Sequence, residues 1–164
     1  MGYFLDELFS SIPLFATLSR SDMSYLSSRI DYIFDYFGED DILIKEGSAS
    51  TSFFILIKGT AKVTFNNSPD EIVTILNPGD IFGEMSYLTG KPRSANVTAC
   101  SDVMVMQLSS NSLQELPPKI RDIIKDKLIE LMTTRLKSMT SDDSEAESNK
   151  PAGLINGVLG WLGI

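Results

Sequence analysis

Between Arg29 and Leu108 the chain is a succession of short β-forming runs cut by turn residues. No other feature limits its fold so strongly. The first run holds Ile30, Tyr32, Ile33, Phe34, Tyr36 and Phe37. The others are Ile42 to Lys45, Ser52 to Lys58, Ala61 to Phe65, Ile72 to Leu76, Ala95 to Ala99 and Val103 to Leu108. β-Branched and aromatic side chains suit a pleated, half-buried surface. Gly47, Gly59, Asn66-Asn67-Ser68-Pro69-Asp70 and Asn77-Pro78-Gly79-Asp80 punctuate the runs with residues that form tight turns. Short strands spaced this way predict a compact all-β roll or barrel. No internal repeat is visible.

Helical patterns flank the β region. From Tyr3 to Ser11, Phe4, Leu5, Leu8 and Phe9 share one helical face, and Pro13 interrupts that helix. Leu18-Ser19-Arg20-Ser21-Asp22 supplies N-cap residues for a second short helix, to about Ser28. After the strands, Ser109 to Glu115 reads as a short helix. Beyond Pro117-Pro118, Ile120, Ile123, Ile124, Leu128, Leu131, Met132 and Leu136 recur at helical spacing to about Met139. Residues 140–153 are acidic and Ser-rich, as in a flexible linker. Residues 154–164 are apolar with interspersed glycines and carry the only tryptophan, Trp161. They are too few to span a bilayer. The expected organisation is an N-terminal helical segment 1–28, a β-roll plus C-terminal helix 29–139, a linker 140–153 and an apolar tail segment 154–164.

Composition removes several function classes. The net charge is −8, of which the segment from Thr140 onward holds −3, leaving −5 for the rest. An acidic body does not bind nucleic acid by counterion release. A local pocket of one or two cations for a single phosphate remains compatible with that balance. The chain has no histidine and one cysteine, Cys100. This excludes an internal disulfide, the common zinc sites and His-based triads, so no metal and no enzyme activity is expected. Cys100 lies in a strand-like run and reads as a small core residue rather than a reactive thiol. The N-terminus lacks the basic and apolar regions of a signal peptide. It begins Met-Gly but has Asp6 where myristoylation requires Ser or Thr. The expected location is cytoplasmic.

The informative segment is Ile81-Phe82-Gly83-Glu84-Met85-Ser86-Tyr87-Leu88-Thr89-Gly90-Lys91-Pro92-Arg93-Ser94-Ala95-Asn96-Val97. It resembles the phosphate-binding cassette of cyclic nucleotide-binding domains, whose pattern is F-G-E, a short helix, then P-R-S/T-A. Upstream, Glu46-Gly47, Phe54-Ile55, Lys58-Gly59 and Asn77-Pro78-Gly79-Asp80 are similar to the family's roll framework. The resemblance covers about Pro13 to Met139. It implies a mainly β fold with flanking helices: an eight-stranded, jelly-roll-like β-roll with N-terminal helices, a short cassette helix and a long C-terminal helix. A bacterial stand-alone member, similar to the ligand-binding domain of the catabolite activator protein, is the expected type.

The chemistry of the segment fits a cyclic phosphodiester. The start of a short helix at Glu84 to Leu88 offers backbone N–H groups and a positive dipole end to one negative charge. Gly83 lets the backbone approach closely because it has no Cβ. Arg93 can make charge-assisted bonds to the exocyclic oxygens, Pro92 helps to aim it, and Ser94 can donate another bond. Glu84 would repel a phosphate, but suits a ribose 2′-hydroxyl. Residue by residue, the duller readings are a local Glu84–Arg93 ion pair, a turn glycine at Gly83 and polar surface at Ser86 and Ser94.

The resemblance assigns ribose binding to Glu84 and the Gly83 backbone. It assigns phosphate binding to Arg93, Ser94 and the backbone at Met85 and Ser86. It places Ile44, Val63, Val73, Leu76 and Met85 against base and ribose, with membership of the core alone as the alternative. The Arg93-Ser94 pair, as in the catabolite activator protein, implies cAMP as ligand, with cGMP as the alternative that an Arg-Thr pair would favour. The lid over the base is expected from the long helix at Met139, Thr140 and Ser141, or else at Arg135, Leu136 and Ser138. Asp40 departs from the glycine usual at that turn, and aspartate tolerates left-handed backbone better than most residues.

The expected output is a protein partner whose control follows ligand-driven movement of the helices. The catabolite activator protein adds a DNA-reading module after its long helix, whereas residues 140–164 here are acidic, so no nucleic-acid partner is expected. The handles are the apolar N-terminal helix and the tail Leu154–Ile164, which suits a partner groove. A membrane surface is the rival for that tail, weakened by its lack of Lys and Arg. Folding back on its own domain is the bland alternative. The long helix could also support a homodimer. The alternative function is a degenerate roll serving as a ligand-independent interaction scaffold.

Overall fold

The structure, a computed structural model, describes residues 2–29 and 32–141. The described residues fall into two compact units, a helical one (2–29 with 111–141) and a β unit (32–110). Among them are eight strands: β1 (Tyr32–Phe37), β2 (Ile42–Ile44), β3 (Phe53–Lys58), β4 (Ala61–Thr64), β5 (Thr74–Leu76), β6 (Ile81–Phe82), β7 (Asn96–Ala99) and β8 (Val103–Leu108). They pair antiparallel in two four-stranded sheets, in the order β1-β8-β3-β6 and β2-β7-β4-β5. The expected mainly β roll with flanking helices is therefore what forms.

The core of the β unit follows from strand alternation, because every second side chain faces inward. Phe54, Leu56, Phe82, Val103 and Val105 come from the first sheet, and Ile44, Ala61, Leu76, Val97 and Ala99 from the second; together they form one buried cluster. Strand β3 is buried on both faces, since Phe53 and Ile55 on its other side are also inaccessible. That accounts for its unbroken apolar run, which lacks the alternation of a half-exposed strand. Asp40 adopts φ 69°, left-handed backbone of the kind that aspartate tolerates better than most residues. Cys100 is half-buried beside β7.

The helical unit comprises α1 (Gly2–Ser11), a 3-10 turn (Pro13–Phe15), α2 (Arg20–Arg29) and α5 (Pro118–Ser141), with most of α4 (Ser110–Gln114). Pro13 does more than break the first helix. It starts a turn that buries Leu14 and Phe15, and Phe15 lies 5.1 Å from Phe9, ring to ring. Ser19 caps α2 by accepting the Asp22 N–H at 3.2 Å, and its hydroxyl donates to the Asp22 carboxylate at 2.6 Å. That bond first, and Lys119 second, hold Asp22 below the ordinary aspartate range. The Lys119 ammonium reaches Asp22 at 3.0 Å and so links α5 to α2. Of the apolar stripe expected on α5, Ile120, Ile124 and Leu128 are buried, while Ile123, Leu131 and Met132 are only half-buried. Among the described residues the stripe is narrower than the sequence pattern suggested, and Ile129 lies outside it; the Leu136 side chain is outside what is described.

Among the described residues, no helix is long and apolar enough to cross a membrane, and no cluster of His, Cys, Asp and Glu could hold a metal. The linker was expected from residue 140, but α5 continues to Ser141; the rest of the predicted linker, to residue 153, and the tail segment 154–164 lie outside the described residues.

The helical assignment predicts a sharp contrast between two isoleucines of α5. Ile124 is 1% exposed and Ile129 is 52% exposed. Ile124→Ala should lower unfolding free energy by about 2–5 kcal/mol, and Ile129→Ala by less than about 1 kcal/mol. Urea denaturation measures both, and equal losses would contradict the buried face assigned to α5.

Candidate functional site

The site begins where β6 ends. Phe82 pairs with Phe54 of β3 in the sheet ladder. Gly83 then turns the chain with φ 75°, a left-handed conformation that suits glycine, into the short helix α3 (Glu84–Thr89). Gly90, at φ 69°, ends the helix and donates its N–H to the Ser86 carbonyl at 2.9 Å. The Thr89 hydroxyl donates to the Met85 carbonyl at 2.7 Å and accepts the Lys91 N–H at 3.2 Å, tying the helix end to the following loop. Two polar residues of this helix are deeply buried, Glu84 and Ser86, each 2% exposed.

Arg93 returns the chain toward the start of α3. Its backbone is clamped from both sides: the Arg93 N–H donates to the Ser48 carbonyl at 2.8 Å, and the Gly47 N–H donates to the Arg93 carbonyl at 2.7 Å. Its side chain, in a residue 5% exposed, donates from Nη1 to the Gly83 carbonyl at 2.7 Å. The guanidinium carbon lies 5.7 Å from the centre of the Phe54 ring. Phe54 in turn stacks on Phe82, with centres 5.3 Å apart and planes inclined by 15°. A cation over a desolvated ring gains about 2 kcal/mol. Burial lowers the Arg93 pKa, and the nearby Glu84 charge opposes that shift. The group stays cationic at any ordinary pH because its intrinsic pKa is so high.

A second layer of polar bonds supports the clamp. Asn96 of β7 accepts the Glu46 N–H at 2.9 Å and donates to the Asn66 side-chain oxygen at 2.8 Å. The Glu46 carboxylate accepts the Asn66 N–H at 2.6 Å. The start of β7 and the turn at Asn66 are thereby fastened to Glu46, next to the Gly47–Ser48 turn that holds Arg93. Glu46-Gly47, read in the sequence as roll framework, is thus also the anchor of the Arg93 backbone.

The structure brings Gly83, Glu84 and Arg93 together around the start of α3, with Met85 and Ser86 following on the helix and Ser94 half-buried directly after Arg93. Ile44 and Leu76 are buried in the core cluster and Val63 packs against it. Ile44 also borders the site: its Cδ1 would lie 3.0 Å from a Cβ placed on Gly83. Val73 is half-buried and donates its N–H to the Val63 carbonyl at 2.9 Å. Thr140 belongs to α5, and its side chain, like those of Met139 and Ser141, is outside what is described. Sequence reasoning missed Phe54 and Phe82 as partners of Arg93. Both looked like ordinary strand residues, and nothing in their spacing marks one ring as a cation's support. A separate hollow of about 460 Å³, lined by Tyr36, Gly38, Lys58, Asp102 and Met104 among others, opens at the far end of β3 and shares no residue with this site.

A buried cation, a glycine turn, a buried carboxylate and the start of a short helix thus stand together at the end of β6. The profile of the cyclic nucleotide-binding domain family matches residues 34–117, and the chain belongs to that family. It is 32% identical over 122 residues to a cAMP-dependent protein kinase regulatory subunit of Hypocrea atroviridis, covering 74% of this chain and 24% of that protein. The chain thus spans only about a quarter of the length of that curated relative, and 28% of the next, from Emericella nidulans. Among solved structures, a cyclic nucleotide-binding domain from Methylobacillus flagellatus KT superposes with a TM-score of 0.74 at 26% identity, covering 91% of this chain and 85% of that one. The catabolite activator protein of Thermus thermophilus superposes with a TM-score of 0.68 at 21% identity, over 80% of this chain and 62% of that one, which shows the shared fold.

Two glycines separate backbone strain from crowding in the cassette. A Cβ on Gly90 meets nothing within 4 Å, whereas a Cβ on Gly83 would lie 2.6 Å from Arg93 Nη1. Gly90→Ala should cost about 1 kcal/mol from left-handed backbone alone. Gly83→Ala should cost more in the same denaturation assay, and the excess should shrink in an Arg93→Ala background. An excess that persists unchanged without the guanidinium would refute the contact.

Proposed function

We propose that this chain is a cAMP-responsive regulatory module. The observation that carries the reading is the buried Arg93 guanidinium set against the Gly83 carbonyl, with the Glu84 carboxylate buried alongside. The cyclic phosphate of the ligand carries one negative charge. Arg93 would bind it with the N–H groups not used on Gly83, joined by Ser94 and by backbone N–H groups at Met85 and Ser86. Glu84 would accept a hydrogen bond from the ribose 2′-hydroxyl, with the Gly83 backbone beside it. Val73 would contribute to the base side of the site from the roll. The family membership supports a cyclic nucleotide as ligand. The name of the Hypocrea relative, together with the Arg93-Ser94 pair, supports adenine over guanine.

Ligand binding would change the positions of the helices that flank the roll. It does so only to the extent that the nucleotide binds one arrangement more tightly than the other. The output would be control of a protein partner through α1 or the tail 154–164.

Calorimetric titration tests the reading. The wild type should bind cAMP more tightly than cGMP. Arg93→Ala should weaken cAMP binding by at least about tenfold, since a charge-assisted bond to a buried anion is lost. Glu84→Ala should erase the preference for cAMP over its 2′-deoxy analogue. Absence of heat with either nucleotide would overturn the proposal in favour of a ligand-independent scaffold.

A further inference from the structure

We propose that Phe54 is a positioning residue for Arg93: its ring, backed by Phe82, is the shelf that fixes where the guanidinium meets the ligand phosphate. The inference rests on the ligand reading above and concerns how that site is prepared.

Arginine has a long side chain with many rotamers, so a buried arginine that must meet one anion in one place needs holding. The structure holds Arg93 at both ends. The backbone is clamped by Gly47 and Ser48. The guanidinium is clamped by the Gly83 carbonyl on its edge and lies over the Phe54 ring. These two side-chain supports have a common origin. Phe82 immediately precedes Gly83, and Phe82 is also the register partner and stacking partner of Phe54. The carbonyl and the shelf therefore move together, as parts of one ladder rung between β3 and β6. Phe54 is 8% exposed and Phe82 is 3% exposed, so the rings are locked by the core around them.

The geometry also explains why the planar fork of arginine suits this place. Nη1 is engaged by Gly83, and the remaining N–H groups of the same plane stay oriented by the ring below. A side chain ordered before the ligand arrives has less freedom to lose on binding, which raises affinity without any new ligand contact. The competing explanation is that Phe54 only fills the core. A core role would affect stability, yet leave the orientation of Arg93 unchanged once another apolar side chain of similar volume fills the gap.

The test substitutes Phe54→Leu, with Phe54→Met as a second apolar replacement should the first fail to fold, Phe54→Tyr as the conservative rescue, and Val105→Ala as a core control. The first readout is the Nε–Hε NMR signal of Arg93 in the protein without nucleotide. In the wild type and Phe54→Tyr it should carry an upfield ring-current shift and show restricted motion. In Phe54→Leu or Phe54→Met the shift should vanish and the mobility rise, while Val105→Ala keeps the wild-type signal. The second readout is cAMP affinity. Phe54→Leu should bind about tenfold more weakly, and Phe54→Leu with Arg93→Ala should bind no more weakly than Arg93→Ala alone. Arg93 mobility unchanged by loss of the ring overturns the inference, as does full additivity of the two substitutions. Failure of the wild type to bind cAMP is a separate result: it overturns the ligand reading, because the Arg93 signal is read without nucleotide.

Discussion

A guanidinium kept almost entirely from water is costly, and it is tolerated only where the protein supplies bonds and charge to replace solvation. Arg93 is such a group. Burial depresses its pKa and Glu84 works the other way, while the Gly83 carbonyl and the Phe54 ring take up its edge and its face. Much of the architecture of the β unit can be read as the means of holding this one cation. Gly83 suits this place because its φ of 75° is left-handed and because a Cβ there would lie only 2.6 Å from Arg93 Nη1. The Gly47–Ser48 turn must close on residue 93 from the other side.

Strand β3 links the fold to the site. On its inner face Phe54 supports Arg93 and stacks on Phe82. On its other face Phe53 meets Tyr87 of the cassette helix, with ring centres 5.3 Å apart. Between them the two faces fix both the strand that enters α3 and the helix itself. The Glu46–Asn66–Asn96 bonds brace the segment next to the Gly47–Ser48 turn, which holds the Arg93 backbone. A roll carrying a short helix and one returning arginine holds its polar groups in fixed places, which is the preorganisation that the proposed binding of a small charged molecule requires.

The parts of this arrangement that are local in sequence were legible there. The run Val103 to Leu108 reads as a strand and is one over its whole length, because apolar patterning is an immediate consequence of burial. Gly83, Glu84 and Arg93 stood out because the segment that holds them resembles the phosphate-binding cassette; taken singly, each has a duller reading. Ile81–Phe82 was not read as a strand: two residues carry no periodicity, and only the ladder with β3 defines them. Pro13 signalled an interruption, but not the 3-10 turn that buries Leu14 and Phe15, because burial there depends on α5, far away in sequence. Phe54 was indistinguishable from any other apolar strand residue. Its relation to Arg93 spans 39 positions and exists only once the sheet has formed. The Asp40 conformation, by contrast, was legible from the resemblance, which implies a glycine turn there, together with the backbone tolerance of aspartate.

A crystal structure of the chain grown with cAMP addresses the central claim most directly. The account predicts the cyclic phosphate within hydrogen-bond distance of Arg93, above the Phe54 ring, and the ribose 2′-hydroxyl on Glu84. Nucleotide density elsewhere on the molecule, or a fully occupied nucleotide that touches neither Arg93 nor Glu84, would contradict it.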